Sequence, residues 1–110
     1  MIFIASKAFT RRLLDLAADA SDSLLAAIQN QLVADPSRGD IVRGLKGIRK
    51  ARVANPARRK GKRGGFRYMY LYLERKDHIH LLLLFDKNEQ EDLSPAQRAV
   101  LAQLASEIRE

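Results

Sequence analysis

Four cationic side chains, Lys50, Arg52, Arg67 and Lys87, stand where β-strands could bring them together. Lys50 and Arg52 are two apart in a β-compatible stretch, residues 48–54, so they share one face while Ala51 and Val53 take the other. Two such residues lie about 7 Å apart along an extended strand, near the spacing of successive backbone phosphates. In the aromatic stretch 66–73, Arg67 shares a face with Met69, Leu71 and Leu73, opposite Phe66, Tyr68, Tyr70 and Tyr72. Lys87 closes the nearly continuous apolar run 79–87. If the neighbouring strand brings Arg67 to that end, the four cations meet in one patch.

Such a patch suits a phosphate. None of its four members is a carboxylate, which argues against a magnesium nuclease, whose cations need oxygen ligands. RNA can be cut without a metal, because its 2′-hydroxyl is an internal nucleophile that the protein need only orient while it stabilises a phosphorane. Guanidinium groups stay protonated and donate in a fork, matching the charge that builds on the phosphate oxygens. A lysine crowded by other cations releases its proton more readily and could act as base or acid. The competing reading is a patch that holds phosphates and cleaves nothing. His78 and His80 share a face at the opposite end of their strand from Lys87 and read as structural. Asp86, Glu89, Glu91 and Asp92 precede a helix, and placement against its dipole explains them more simply than a metal cluster. Tyr68 and Tyr70 could stack bases beside the cations, but alternation on a strand favours the core.

The elements that must position these residues are also legible. Phe9, Leu13, Leu16, Ala17 and Ala20 recur at helical spacing after Ser6, a candidate N-cap. A second helix starts near Ser21 or Asp22, carries Leu25, Ile28 and Leu32, and stops at Asp35 before Pro36, forming an antiparallel pair with the first. Residues 36–40, PSRGD, have turn composition. Ile2, Phe3 and Ile4 make a short β-prone start, and the stretches 48–54, 66–73 and 79–87 predict three closely connected strands, hence antiparallel ones. Ser94-Pro95-Ala96-Gln97 has the residues of a capping box with proline at the first helical position, and Leu101, Leu104, Ala105 and Ile108 continue that helix. The expected fold is α+β: an N-terminal helical hairpin and a C-terminal helix flanking a small, mostly antiparallel sheet, in a single domain over residues 1–110.

Charge distribution sharpens the functional reading. The formal net charge is +7, yet eleven lysines and arginines lie between Asp40 and Glu74 with no acidic residue among them, and elsewhere all thirteen acidic residues outnumber the remaining nine basic ones. A local cationic block of this density invites a polyanion, with a solvated basic loop or an acidic protein partner as the alternatives. The chain has no cysteine, which excludes disulfides, thiolate metal sites and cysteine nucleophiles and fits a reducing cytoplasm. Residues 1–9, MIFIASKAF, lack the pattern of a signal peptide, and no apolar run approaches a membrane span, so a cytoplasmic protein is expected.

Three segments in order and spacing, DPSRGDIVRGLKGIRKARVA (35–54), GKRGGFRYMYLY (61–72) and LLLLFDKNEQEDLSPAQRAVL (81–101), resemble the RelE/HigB superfamily of bacterial toxins, particularly its HigB-type branch. The resemblance runs from about residue 9 to the end. It implies a RelE-like fold and a ribosome-dependent endoribonuclease that cuts mRNA in the A site by metal-free attack of the 2′-hydroxyl, with no cofactor. It also implies inhibition by a cognate antitoxin, often a HigA-like helix-turn-helix protein. Carried over residue by residue, the family's basic strand pair falls on Lys50 and Arg52, its arginine after the glycine–aromatic turn on Arg67, and its late basic position on Lys87. Arg49, Asn88 and the basic loop Arg58, Arg59, Lys60, Lys62 and Arg63 would hold RNA. Studied RelE members carry a second basic residue directly after the position of Lys87 and a tyrosine further on, where this chain has Asn88 and Ser94.

Overall fold

The computed structural model describes residues 1–55, 65–90 and 92–109. Its elements run β1 (Ile2–Ala5), α1 (Lys7–Ala17), a 3-10 turn (Ala18–Ala20), α2 (Ser21–Ala34), β2 (Asp40–Ile41), β3 (Arg49–Val53), β4 (Phe66–Leu73), β5 (His78–Asp86) and α3 (Pro95–Arg109). Among the described residues no helix is long and apolar enough to cross a membrane. The basic loop residues Arg58, Arg59, Lys60, Lys62 and Arg63 lie outside the described residues, as does Glu91.

Local chemistry sets the helix ends. The Ser6 hydroxyl accepts the Phe9 N–H at 3.0 Å and donates to the Leu82 carbonyl at 2.9 Å, which caps α1 and ties its start to β5. Asp35 is extended ahead of Pro36 and ends α2. At α3 the capping box is closed in both directions: Gln97 N–H donates to Ser94 Oγ at 3.1 Å, and Ser94 N–H donates to Gln97 Oε1 at 2.9 Å.

The sheet has five strands in the order β1-β5-β4-β3-β2, antiparallel except for the parallel pair β1 and β5. Three strands and a β-prone start were the sequence expectation. The extra strand, β2, arises at the end of the segment expected to be only a turn. Strand ends also differ by a residue, 49–53 rather than 48–54 and 78–86 rather than 79–87. The sheet is covered on both faces. On one, Phe9 and Leu13 of α1 and Leu24, Ile28 and Leu32 of α2 pack on Tyr68, Tyr70 and Leu84. On the other, Leu101 and Ala105 of α3 pack with Ile48, Met69, Leu71 and Phe85. Ile28 and Leu32 are fully buried as expected, joined by Leu24, whereas Leu25 is only partly buried.

A β-bulge decides which face the end of β5 presents. Met69 pairs with Leu83 and Tyr70 with Leu81, so Leu82 has no partner on β4. Before the bulge Ile79 and Leu81 face the helical pair; after it Leu84 does, while Phe85 faces α3. The alternation is thereby inverted, and Lys87, two residues beyond Phe85, falls on the face of Arg67.

Candidate active site

Beyond the edge of the α3 core, on the same face of the sheet, a depression of about 540 Å³ is lined by Arg38, Asp40, Lys50, Arg52, Arg67 and Lys87. Strand register explains the convergence. Asp40 of β2 is opposite Lys50 of β3, Arg52 of β3 is opposite Arg67 of β4, and Arg67 is opposite Phe85 of β5. The Lys87 N–H donates to the Gly65 carbonyl at 3.3 Å, extending the β4–β5 pairing one step past the strand. All four cations named from the sequence therefore line one cavity.

Arg67 is the floor. Only 8% of it is exposed, although the depression opens above it. Its pKa is lowered, first by loss of water and then by the charge of Arg52. An anion in the depression would relieve the second cause and offset the first. Among the described residues the salt bridges join the Met1 amino group to Asp77 and Arg12 to Glu89, so none of the cations lining the depression is neutralised by one. The arrangement offers several donors and an excess of positive charge over its one carboxylate, as a phosphate oxyanion requires.

Two lining residues, Arg38 and Asp40, were not singled out in the sequence. Their loop is held by β3 and β4. The Tyr70 hydroxyl donates to the Pro36 carbonyl at 2.8 Å and accepts the Gly39 N–H at 3.1 Å. A Cβ at Gly39 would stand 2.7 Å from the Lys50 carbonyl oxygen, so glycine permits the close approach. The signal available was the glycine of PSRGD, but it does not say which strand the turn approaches.

Other candidates have different positions. Arg49, expected to hold RNA, lies on the opposite face from Lys50, and its guanidinium donates to the carbonyls of Ser37 at 3.1 Å and Gly39 at 2.7 Å. It clamps the loop and does not line the depression, as its register opposite Tyr70 dictates. Asn88 is exposed outside the depression, its N–H donating to Asp86 Oδ1 at 2.9 Å. The dipole explanation for the acidic run also needs correction: the first turn of α3 holds no acidic residue, Glu89 pairs with Arg12 at 3.3 Å, and Asp92 Oδ1 accepts the Leu93 N–H at 2.7 Å. Among the described residues no three histidine, cysteine or acidic side chains are grouped to hold a metal. His78 and His80 lie near the start of β5, away from Lys87, with ring centroids 6.4 Å apart. Burial, then His78 and Lys76, push the His80 pKa down. Tyr68 and Tyr70 are wholly buried, as core residues.

No protein-family model matches the chain. Solved structures do. The isolated E. coli RelE toxin in a P21 crystal form superposes with a TM-score of 0.55 at 12% identity, covering 94% of this chain and 97% of that one. This chain has a RelE-like fold. A double arginine-to-alanine mutant of E. coli RelE in the free state gives a TM-score of 0.57 at 13% identity over 82% and 86% of the two chains. A chain of the intact E. coli RelBE toxin–antitoxin complex gives 0.54 at 13% identity over 76% and 92%. At such identity the likeness to RelE is one of backbone, and the chemistry must be argued from this chain's own side chains.

Proposed function

We propose that the protein is the toxin of a type II toxin–antitoxin pair, a ribosome-dependent endoribonuclease of the RelE/HigB kind that cuts mRNA in the A site and arrests translation. The carrying observation is the depression, where cations of β3, β4 and the end of β5 converge without ion-pair partners among the described residues. In this reading Arg67 and Arg52 grip the scissile phosphate and stabilise the charge that develops on its oxygens, while Lys50 and Lys87 flank it. The 2′-oxygen attacks phosphorus, the bond to the 5′-oxygen breaks, and the products carry a 2′,3′-cyclic phosphate and a 5′-hydroxyl. No cofactor enters this scheme. Asn88 and the basic loop Arg58 to Arg63 would hold RNA backbone outside the depression, and the natural inhibitor would be a cognate antitoxin of the HigA-like helix-turn-helix kind. The solved RelBE complex supports the expectation of an antitoxin partner.

Induced expression followed by mapping of mRNA 5′ ends tests the reading. The wild type should create new ends within reading frames and stop growth. Arg67→Ala should lower cleavage about 10²- to 10³-fold, the usual effect of removing a donor from a developing oxyanion, and Lys87→Ala should lower it as well. Growth arrest without new ends would instead identify a module that grips RNA or the ribosome without cutting.

A further inference from the structure

The six polar side chains lining the depression divide unequally in the chemistry they can do. Arg38, Lys50, Arg52, Arg67 and Lys87 are donors when protonated, and a lysine can take a proton only after first giving up its own, whereas a carboxylate accepts directly. Attack by a 2′-hydroxyl needs an acceptor. Among the described residues Asp40 is the one carboxylate in the lining. It is exposed, and among the described residues it forms neither a salt bridge nor a side-chain hydrogen bond. A negative charge here also opposes phosphate binding, an expense the five cations offset but that a site built only for grip would omit.

Resting on the proposed cleavage reaction, we propose that Asp40 is the general base that activates the ribose 2′-hydroxyl. Its place in the fold fits. Asp40 is on β2, one edge of the sheet, and Lys87 follows β5, three strands across, with Arg52 and Arg67 between them on β3 and β4. A phosphate held by the arginine pair has the carboxylate on one side and the ammonium of Lys87 on the other, the order that in-line displacement requires. The Asp40 carboxylate takes the 2′-hydroxyl proton as the oxygen–phosphorus bond forms. As the bond to the 5′-oxygen breaks, that oxygen takes a proton from the Lys87 ammonium, and exchange with solvent returns both side chains to their starting states.

The assignment separates rate from affinity. Among the described residues, the charged groups that line the depression with Asp40 are Arg38 on its own segment, Lys50 and Arg52 on β3, Arg67 on β4 and Lys87 after β5. Asparagine keeps the shape of the Asp40 side chain and removes its charge, so Asp40→Asn tests proton transfer without removing a phosphate-binding cation. The experiment is single-turnover cleavage of an mRNA placed on bacterial ribosomes by wild-type protein and Asp40→Asn, across a pH series, with affinity for a short single-stranded RNA measured in parallel. We expect Asp40→Asn to slow cleavage about 10²- to 10⁴-fold, to lose the acidic limb of the rate profile, and to bind RNA as tightly as the wild type or more tightly. Cleavage at the wild-type rate, or loss of RNA affinity in step with loss of rate, overturns the assignment. A wild-type protein that binds RNA but never cleaves it removes the proposed reaction and this base together.

Discussion

Tyr68 and Tyr70 show how single side chains fix the floor behind the site. Both rings are fully buried, 5.7 Å apart, and both hydroxyls are satisfied, Tyr68 donating to Gln31 Oε1 at 2.7 Å and Tyr70 to Pro36. Their pKa values are raised, in each case first by burial. The sign follows directly: a tyrosine that holds its proton more tightly when folded contributes stability in full below its unfolded value, about 10, and loses it as pH climbs toward the folded value. The melting temperature of the wild type should therefore fall as pH rises above about 10, and Tyr68→Phe should flatten that fall. Thermal melts of the two proteins through the alkaline range check this; parallel curves would assign the loss to other groups. Ser6 and Ser94 show the same economy at helix ends, where a single hydroxyl determines a boundary, and those positions were legible in the sequence because cap and partner are within three residues.

Among elements, the segment 36–41 places two of the polar side chains of the depression, Arg38 and Asp40. Gly39→Ala should push β2 off β3, because the added carbon would stand 2.7 Å from the Lys50 carbonyl oxygen and 3.1 Å from the Tyr70 ring. The expected loss is about 1–3 kcal/mol of stability, as for other overpacked sites. Urea denaturation measures it, and an unchanged midpoint would mean that the strand pair yields easily. This loop also shows where sequence reading stops. Helices, their caps and the three middle strands depend on periodicity and neighbours, so they could be read. β2 is a two-residue strand made only by its partner, and β1 pairs with a strand more than seventy residues away. The bulge at Leu82 is harder still. Strict alternation from Ile79 would put Lys87 on the face of the helical pair, and nothing in a run of four leucines marks the place where the count slips. Arg49 was expected to hold RNA, and what the sequence does not show is that its guanidinium also holds the carbonyls of the loop.

At the scale of the whole molecule, the net charge of +7 matters less than its concentration. Among the described residues the depression collects five cations and one carboxylate, while the chain outside the basic stretch is net acidic, so the field should draw a polyanion to one side and repel it elsewhere. Binding of single-stranded RNA should then be steeply salt dependent, the logarithm of the association constant falling by about 0.7 per phosphate engaged for each unit in the logarithm of salt. Arg52→Ala should shallow that slope by about 0.7, because it removes one phosphate contact. Arg12→Ala should leave it unchanged, because that guanidinium is paired with Glu89 outside the depression. Fluorescence anisotropy of a labelled RNA between about 50 and 200 mM salt gives both slopes. Equal slopes for the wild type and Arg52→Ala would mean that the RNA path avoids the depression, and cleavage there would lose its physical basis, since a phosphate must first lie over Arg67 before any group beside it can act.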